Sequence, residues 1–451
     1  MSDNKKLSLI HLAWPIFVEM LLLMLMGNMD VFMLSQYSDS AVNSVGVANQ
    51  FVMFAIVMFG FVSTGAAVII AQYLGAEKFG DARKVAGVAL CCSLAFGCIV
   101  SFVFLFFHGN ILSLMDLAYY VRQPAERYLV IVGSFIFMQA MLTSVNTILR
   151  SYRHTRDTMV ITVTMNIINI VGNAVVIFGV FGFSVTGFLG IATTTGVAIT
   201  TVISRSLALC LALFILFRRV GNPFKGISIK KFPFQYVKKI FSIGIPAAGE
   251  NLSYSGYQTF LTMLITGMGA AAISTRIYSR SLNVFMFLIT VSIAQAGQII
   301  IGHLMGAKKI DEIYKKCFRF LKLSIFSSVV VALLFFTFSR QLLGIFTDNP
   351  DVIETGRQVM FVFIFLEIGR ACNVIIIGSL RAVGDVKFPV IVGIFSMWGI
   401  GALMGFVLGV VLGFGVVGII IATAMDECTR GIIMLFRWRS KKWQKYRITD
   451  D

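Results

Sequence analysis

Two acids stand inside the first long apolar run of the sequence, Glu19 and Asp30 in "WPIFVEMLLLMLMGNMDVFMLS" (14–35). A carboxylate near the middle of a bilayer costs about 2.5–3.5 kcal/mol on insertion scales and tends to be kept where protons, ions or substrates are handled. Low-dielectric surroundings disfavour its charged form, which suits a group that takes up and gives back a proton. A second polar set stands further on. Asn166, Asn169 and Asn173 recur at i, i+3, i+7 on an otherwise apolar stretch, and the threonines 193–195 open a later one. An Asn amide donates to a carboxylate and accepts from a carboxylic acid, so one stripe can hold both protonation states. Asp30 with Asn166, Asn169, Asn173 and Thr194 is therefore the candidate proton- or cation-coupling set. Gluing helix to helix is the alternative role of the stripe.

Other residues invite other chemistry. Met20, Met24, Met26, Met29 and Met33 crowd the segment that carries Asp30, and Phe51, Phe54 and Phe59 follow. Methionine packs adaptably and aromatic faces attract cations, so Met26, Met29, Met33 and Phe54 are candidate lining for a chamber taking amphipathic organic cations; plain core filling is the alternative. Glu250, Glu367, Arg370, Asp426, Glu427 and Arg430 charge the second half of the chain. Arg370 is expected to pair with Glu367 or Glu250 in a structural or gating role. Arginines 205, 276, 280 and 370 could instead grip a lipid phosphate, although Arg276 and Arg280 read as snorkelling at an outer interface. The four histidines and seven cysteines show no metal-ligand spacing and no disulfide framework. No phosphate-cradling glycine loop occurs, so no ATPase is expected, nor any cofactor or metal, and the energy source would be an ion gradient.

The elements that must position these groups are membrane helices. Hydrophobic residues make up 58% of the 451 and charged ones 13%, with mean hydropathy +0.88, far from a soluble domain. A span needs about 20 apolar residues, and twelve such stretches lie between short polar breaks. The first follows a polar leader without a small-residue cleavage site and reads as an uncleaved anchor. The net charge of +17 raises the question of nucleic acid. Yet most of the 38 Lys and Arg recur in alternate loops, around 78–84, 150–156, 218–239, 308–319 and 437–447, while the intervening loops hold none. That is the positive-inside pattern: both termini are expected in the cytoplasm, in the cell's inner membrane, without a nucleic-acid partner.

Shifting the chain by 231 positions brings Pro15 and Glu19 onto Pro246 and Glu250, "LGAEK" (74–78) onto "MGAKK" (305–309), Leu149-Arg150 onto Leu380-Arg381, and "VFGFSVTG" (180–187) onto "VLGFGVVG" (411–418). Asp30 falls on Leu261 and so breaks the repeat. Six spans per copy is an even number, so the copies run parallel, related by a pseudo-twofold along the membrane normal. The expected organisation is an N-terminal six-helix lobe over 1–217, a basic linker over 218–239, a C-terminal lobe over 240–437 and a basic tail over 438–451. Pro15 with Glu19, and Pro246 with Glu250, are assigned to helix starts where the acid satisfies donors exposed by the proline. A duplicated scaffold or channel is the alternative to a transporter.

These strings, with "GAEKFGDARK" (75–84), "ILRSYRHTRD" (148–157), "NIINIVGNAVVIFG" (166–179), "IGIPAAGE" (243–250) and "GSLRAVGD" (378–385), resemble the multidrug and toxic compound extrusion (MATE) antiporters over nearly the whole chain. The superfamily also holds lipid-linked oligosaccharide flippases. The resemblance implies a twelve-helix all-α fold, drug export by rocking of two lobes, and a coupling site formed by the first-span Asp and the polar residues of the fifth span. Some members carry an Asp where Asn173 stands, and NorM-type members have one where Arg370 aligns. Both departures weaken a Na⁺ site, and the chain is expected in the proton-coupled DinF-like branch, as a monomer. Na⁺-coupled drug antiport and lipid-linked oligosaccharide flipping remain the alternatives.

Overall fold

The computed structural model describes residues 8–113, 115, 117–179, 193–225 and 232–446, apart from the side chains at 27, 28, 30 and 31. The side chain of Asp30, the stretch 180–187 and part of the 218–239 linker therefore lie outside the described residues. Everything described is helix or short connection. In chain order the helices are α1 (Leu9–Ser35), α2 (Asp39–Gly75), α3 (Phe79–Leu112), α4 (Tyr119–Ser134), α5 (Ile136–Ser151), α6 (Thr155–Phe178), α7 (Thr193–Arg219) and α8 (Phe234–Thr266). They continue as α9 (Ala270–Gly306), α10 (Ile310–Thr337), α11 (Ser339–Gly344), α12 (Pro350–Val383) and α13 (Lys387–Ser396), then α14 (Leu403–Phe406) between two π-helical stretches, and α15 (Gly415–Arg439).

Among the described residues nine helices are long and apolar enough to cross a membrane, or ten if α4 and α5, bent by 47°, form one span. The protein is an all-helical, multi-pass membrane protein. Helices α8 and α15 are 33 and 25 residues long, but polar and charged groups interrupt their apolar runs. The α4–α5 pair is a bent one, breaking at Phe135. The candidate span from Lys387 to Val411 carries π turns at Met397–Ala402 and Val407–Val411, an irregularity found often at functional sites.

Local sequence accounts for several boundaries. Asn349 caps α12 by accepting from the backbone N–H of Asp351 and Val352, with Pro350 in the first turn, where its missing N–H is harmless. The same helix ends on Gly384 at φ +100°, the left-handed residue that closes a helix C-terminus. The 231-residue repeat is visible in these ends. Glu77 and Lys308 adopt φ +61° and +60°, and Arg153 and Gly384 adopt φ +68° and +100°. Each is followed by the same backbone bond, Lys78 N–H to Tyr73 (2.9 Å), Lys309 to Leu304 (3.0 Å), His154 to Leu149 (2.8 Å) and Asp385 to Leu380 (2.9 Å). A non-glycine residue in this conformation costs about 1 kcal/mol, so its recurrence at paired positions marks one inherited design.

The chain divides into two compact units. One comprises residues 18–70 and 79–244, the other 1–17, 71–78 and 245–451. In the first, α3 packs on α4 and α5, and α6 on α7, around a core that includes Leu34, Val52, Phe104, Leu129, Ile136 and Val197. In the second, α12 packs against α9, α10 and α15, around Tyr257, Leu261, Met286, Phe363, Met397 and Ile419. Within this second unit the end of α2 crosses the end of α9 with backbones touching. A Cβ on Gly75 would overlap the carbonyl oxygen of His303, and one on Gly306 would overlap that of Gln72. Gly75 and Gly306 are themselves repeat partners, as are Gln72 and His303. The first part of the 438–451 tail folds back: Trp443 stacks on Trp438 with centroids 4.5 Å apart and donates to its carbonyl oxygen at 2.9 Å.

Candidate functional site

In the first unit the polar groups gather along α1 and α6. Glu19 is 1% exposed. It accepts from Arg150 at the end of α5 (2.5 Å), from Thr158 (2.9 Å) and from Thr162 (3.3 Å) on α6. One helical turn on, the Asn166 amide donates to the Leu22 carbonyl at 3.0 Å. Both helices therefore rise in the same direction, residue against residue. Asn166, Asn169 and Asn173 are all buried, and Asn173 donates to Asn169 Oδ1 at 3.4 Å. The Asn166 Oδ1 has no partner among the described residues. Thr194 is buried in the first turn of α7, which packs on α6. Of the candidate chamber residues, Met33 is buried, Met26 half-buried, and Met29 and Phe54 exposed.

Two expectations are corrected here. Pro15 lies within α1, and Pro246 is more than three turns into α8, so neither marks a helix start. Nor do Glu19 and Glu250 serve donors freed by those prolines. Each binds an arginine: Glu250 accepts from Arg381 at 2.5 Å, the repeat counterpart of Glu19 with Arg150.

The second unit contains a larger charged network on α9, α12, α13 and α15. Arg370 donates to Glu367 (2.6 Å) and Asn283 (2.9 Å) and stands 3.8 Å from Glu427. Asn283 donates to Glu367 (2.9 Å), Asn373 to Glu427 (2.8 Å) and Ser396 to Asp426 (2.6 Å). Arg430 bridges Asp426 (2.7 Å) and Glu427 (3.1 Å). The Arg370 guanidinium also lies 5.0 Å from the centre of the Phe287 ring. Of the two partners expected for Arg370, the structure has Glu367; Glu250 is bound to Arg381.

Beside this network lies a pocket that sequence reasoning missed, lined by Tyr254, Gln258, Arg276, Arg280, Asn283 and Arg370 among others. Arg276 is half-buried and Arg280 exposed. Arg276 donates to Gln258 Oε1 at 2.8 Å and borders the pocket with Arg280. The signal was present: Arg276, Arg280 and Asn283 stand at i, i+4, i+7, a one-face helical spacing like the i, i+3, i+7 of the asparagine stripe.

A helical membrane scaffold with buried polar sites in each unit is the build of a transporter. The sequence profile of the MatE family matches residues 15–175 and 246–407, two matches that begin 231 residues apart. The chain belongs to that family, whose members are transporters and not enzymes. It is 42% identical over 440 residues to the uncharacterized transporter YisQ of Bacillus subtilis (strain 168), covering 98% of this chain and 95% of that one. It is 27% identical over 439 residues to the probable multidrug resistance protein NorM of Thermotoga maritima, covering 97% and 93%. Among solved structures it is similar to an outward-facing multidrug resistance MATE family transporter of the MOP superfamily, with TM-score 0.85, 18% identity and 98% and 96% coverage. It is also similar to the Vibrio cholerae MATE transporter VcmN in its bent form, with TM-score 0.87, 17% identity and 97% and 98% coverage. At such identities these structures speak for the fold.

Proposed function

We propose that the protein exports amphipathic organic cations across the cell's inner membrane in exchange for protons, with both termini in the cytoplasm. The observation that carries this reading is the buried asparagine stripe and its register. Thr158 and Thr162 meet Glu19 and Asn166 meets Leu22; continued at the same register for seven residues along both helices, Asn173 would come level with positions 29 and 30 of α1. A carboxyl at position 30 would then share a water-poor site with amides able to hold it protonated or ionised. Exchange works by competition: the carboxylate attracts a cationic substrate from the inside, and a proton from the outside displaces it. Reading Met26, Met29, Met33 and Phe54 as chamber lining rests on their soft, cation-tolerant surfaces.

Proton coupling and placement in the DinF-like branch rest on two residues. Asn173 supplies no charge, and Arg370, already bonded to Glu367, brings a fixed cation where Na⁺ would need an acid. The test is efflux of a rhodamine-type cation from proteoliposomes driven separately by a pH gradient and by a Na⁺ gradient. Efflux on the pH gradient alone, lost in Asp30→Asn with the protein still folded, is expected. Efflux that needs Na⁺, or that survives Asp30→Asn at full rate, would overturn the reading.

A further inference from the structure

Among the described residues Arg276 and Arg280 are two cations without an acid. Both lie on α9, a helix long and apolar enough to cross the membrane. Arg276 is bonded to the neutral Gln258, its Nε has no partner among the described residues, and its charged neighbours are the cations Arg280 and Arg370. No ion pair of Arg280 is present among the described residues. The nearby acids are already engaged: Glu367 by Arg370 and Asn283, Asp426 and Glu427 by Arg430. Among the described residues three carboxylates thus stand against four arginines across the network and pocket, Arg276, Arg280, Arg370 and Arg430, which leaves a surplus of one positive charge. Arg276 is half-buried and Arg280 exposed; a charge without an acid on a membrane-spanning helix is costly and tends to be kept for a ligand or a pathway.

The space in front of these arginines has two parts. The inner pocket between α8, α9, α12 and α15 has a volume of about 50 Å³, room for roughly three to five water-sized groups at 10–15 Å³ each. The outer cavity has about 740 Å³ and shares Tyr254, Gln258 and Arg280 with the inner one; Ser255, Thr259, Thr262, Thr266 and Met263 complete most of its wall. A headgroup of three to five heavy atoms fits the inner space, and a drug-sized amphipathic body fits the outer one.

We infer that this pocket is a binding site for the terminal oxyanion of an amphipathic molecule, a carboxylate or a phosphate monoester, held by Arg276 and Arg280. Guanidinium groups match both anions by paired N–H donors, and the surplus charge is neutralised when the anion enters. Tyr254 and Gln258 border both cavities and add polar groups at the junction. The site lies in one unit, makes no use of Asp30, and extends the substrate chemistry beyond organic cations.

The test is equilibrium binding to the purified full-length protein in detergent, with no ion gradient, so that it stands apart from the efflux experiment above. The probes are a rhodamine with a free carboxylate and its methyl ester, and decyl phosphate and its dimethyl ester as competitors. The wild-type protein is expected to bind at least one free acid about tenfold more tightly than its ester, the scale of a charge-assisted hydrogen bond. Preference for the carboxylate pair or the phosphate pair identifies which oxyanion fits. Arg276→Gln and Arg280→Gln should each erase the preference, and Arg280→Lys should retain most of it. Arg276→Lys serves if the Gln variant does not fold. Equal affinity for acid and ester in the wild type, or a preference that survives both Gln substitutions, overturns the assignment.

Discussion

Arg150 donates to Glu19 at 2.5 Å, and Arg381, its partner 231 residues on, makes the same 2.5 Å bond to Glu250. Each acid sits four residues after a proline, and each arginine ends a helix that lies 131 residues further along. The two bonds differ in their surroundings. Glu19 is the more buried, its side chain 1% exposed against 11% for Glu250, and two threonines add to its arginine. Removing one member of a buried pair leaves the other charge uncompensated, at about 3–5 kcal/mol. Glu19→Gln is expected to lower the Tm in detergent markedly, and more than Glu250→Gln, while neither changes which ion drives efflux. Thermal unfolding of the two variants side by side checks the order; an equal or reversed order would mean that the threonines contribute nothing.

The glycine crossing leads to a second expectation. At Gly75 and Gly306 the obstruction to a side chain is backbone carbonyl, which cannot rotate out of the way. Gly75→Val or Gly306→Val must push the end of α2 off the end of α9, at about 1–3 kcal/mol for overpacking. Gly46 and Gly60 have open space around a built Cβ, so alanine there should be tolerated by comparison. Tm values for the set, with yield of monodisperse protein as a second readout, decide it; harmless valines at 75 and 306 would show that the helices do not cross so closely.

What could be read from the sequence was whatever repeats within a helix or between the copies. Apolar length announced the spans, and the 231-residue offset reappears in the left-handed residues 77, 308, 153 and 384. The spacing of Asn166, Asn169 and Asn173 placed them on one helix face, and they are buried together. What could not be read depends on neighbours distant in sequence. Nothing local ties Glu19 to Arg150, and the short polar gap between helices gives no sign of which acid will accept it. The bend at Phe135 lies inside an apolar run without a proline at the break. The bond of Arg276 could not be foreseen, because an arginine near the end of an apolar run usually reaches for water; the amide it binds, Gln258, comes from another helix.

His154 provides a pH test outside the spans, in the turn before α6. Burial pushes its imidazole below the ordinary value, Asp157 pulls it back up, and Arg219 opposes the proton more weakly. The folded protein therefore takes up this proton less readily than the unfolded chain. The stability contribution is full above the unfolded value of about 6.5 and declines as pH falls through it toward the lower folded value. The Tm advantage of the wild type over His154→Gln should shrink between pH 7.5 and pH 5.5. A constant difference across that range would show that the proton is bound equally in both states.

The last expectation concerns Arg370 and the acids it serves. Glu367 is fully buried, with Arg370 and Asn283 on one oxygen. Replacing Arg370 with methionine keeps an unbranched apolar stem but loses the guanidinium over Phe287 and leaves Glu367 with a single neutral donor, at about 3–5 kcal/mol. Glu427 suffers less, since Arg430 and Asn373 still bind it. Replacing Glu367 with leucine as well removes the stranded charge, and apolar substitutes for a buried pair are often neutral or stabilising. The double variant should therefore recover most of the loss, with a coupling of about 3 kcal/mol, the upper end for residues in contact, in a double-mutant cycle. If Arg370 instead serves mainly to balance Glu427, the double variant will be no more stable than Arg370→Met alone, and denaturant unfolding of the four proteins distinguishes the two outcomes.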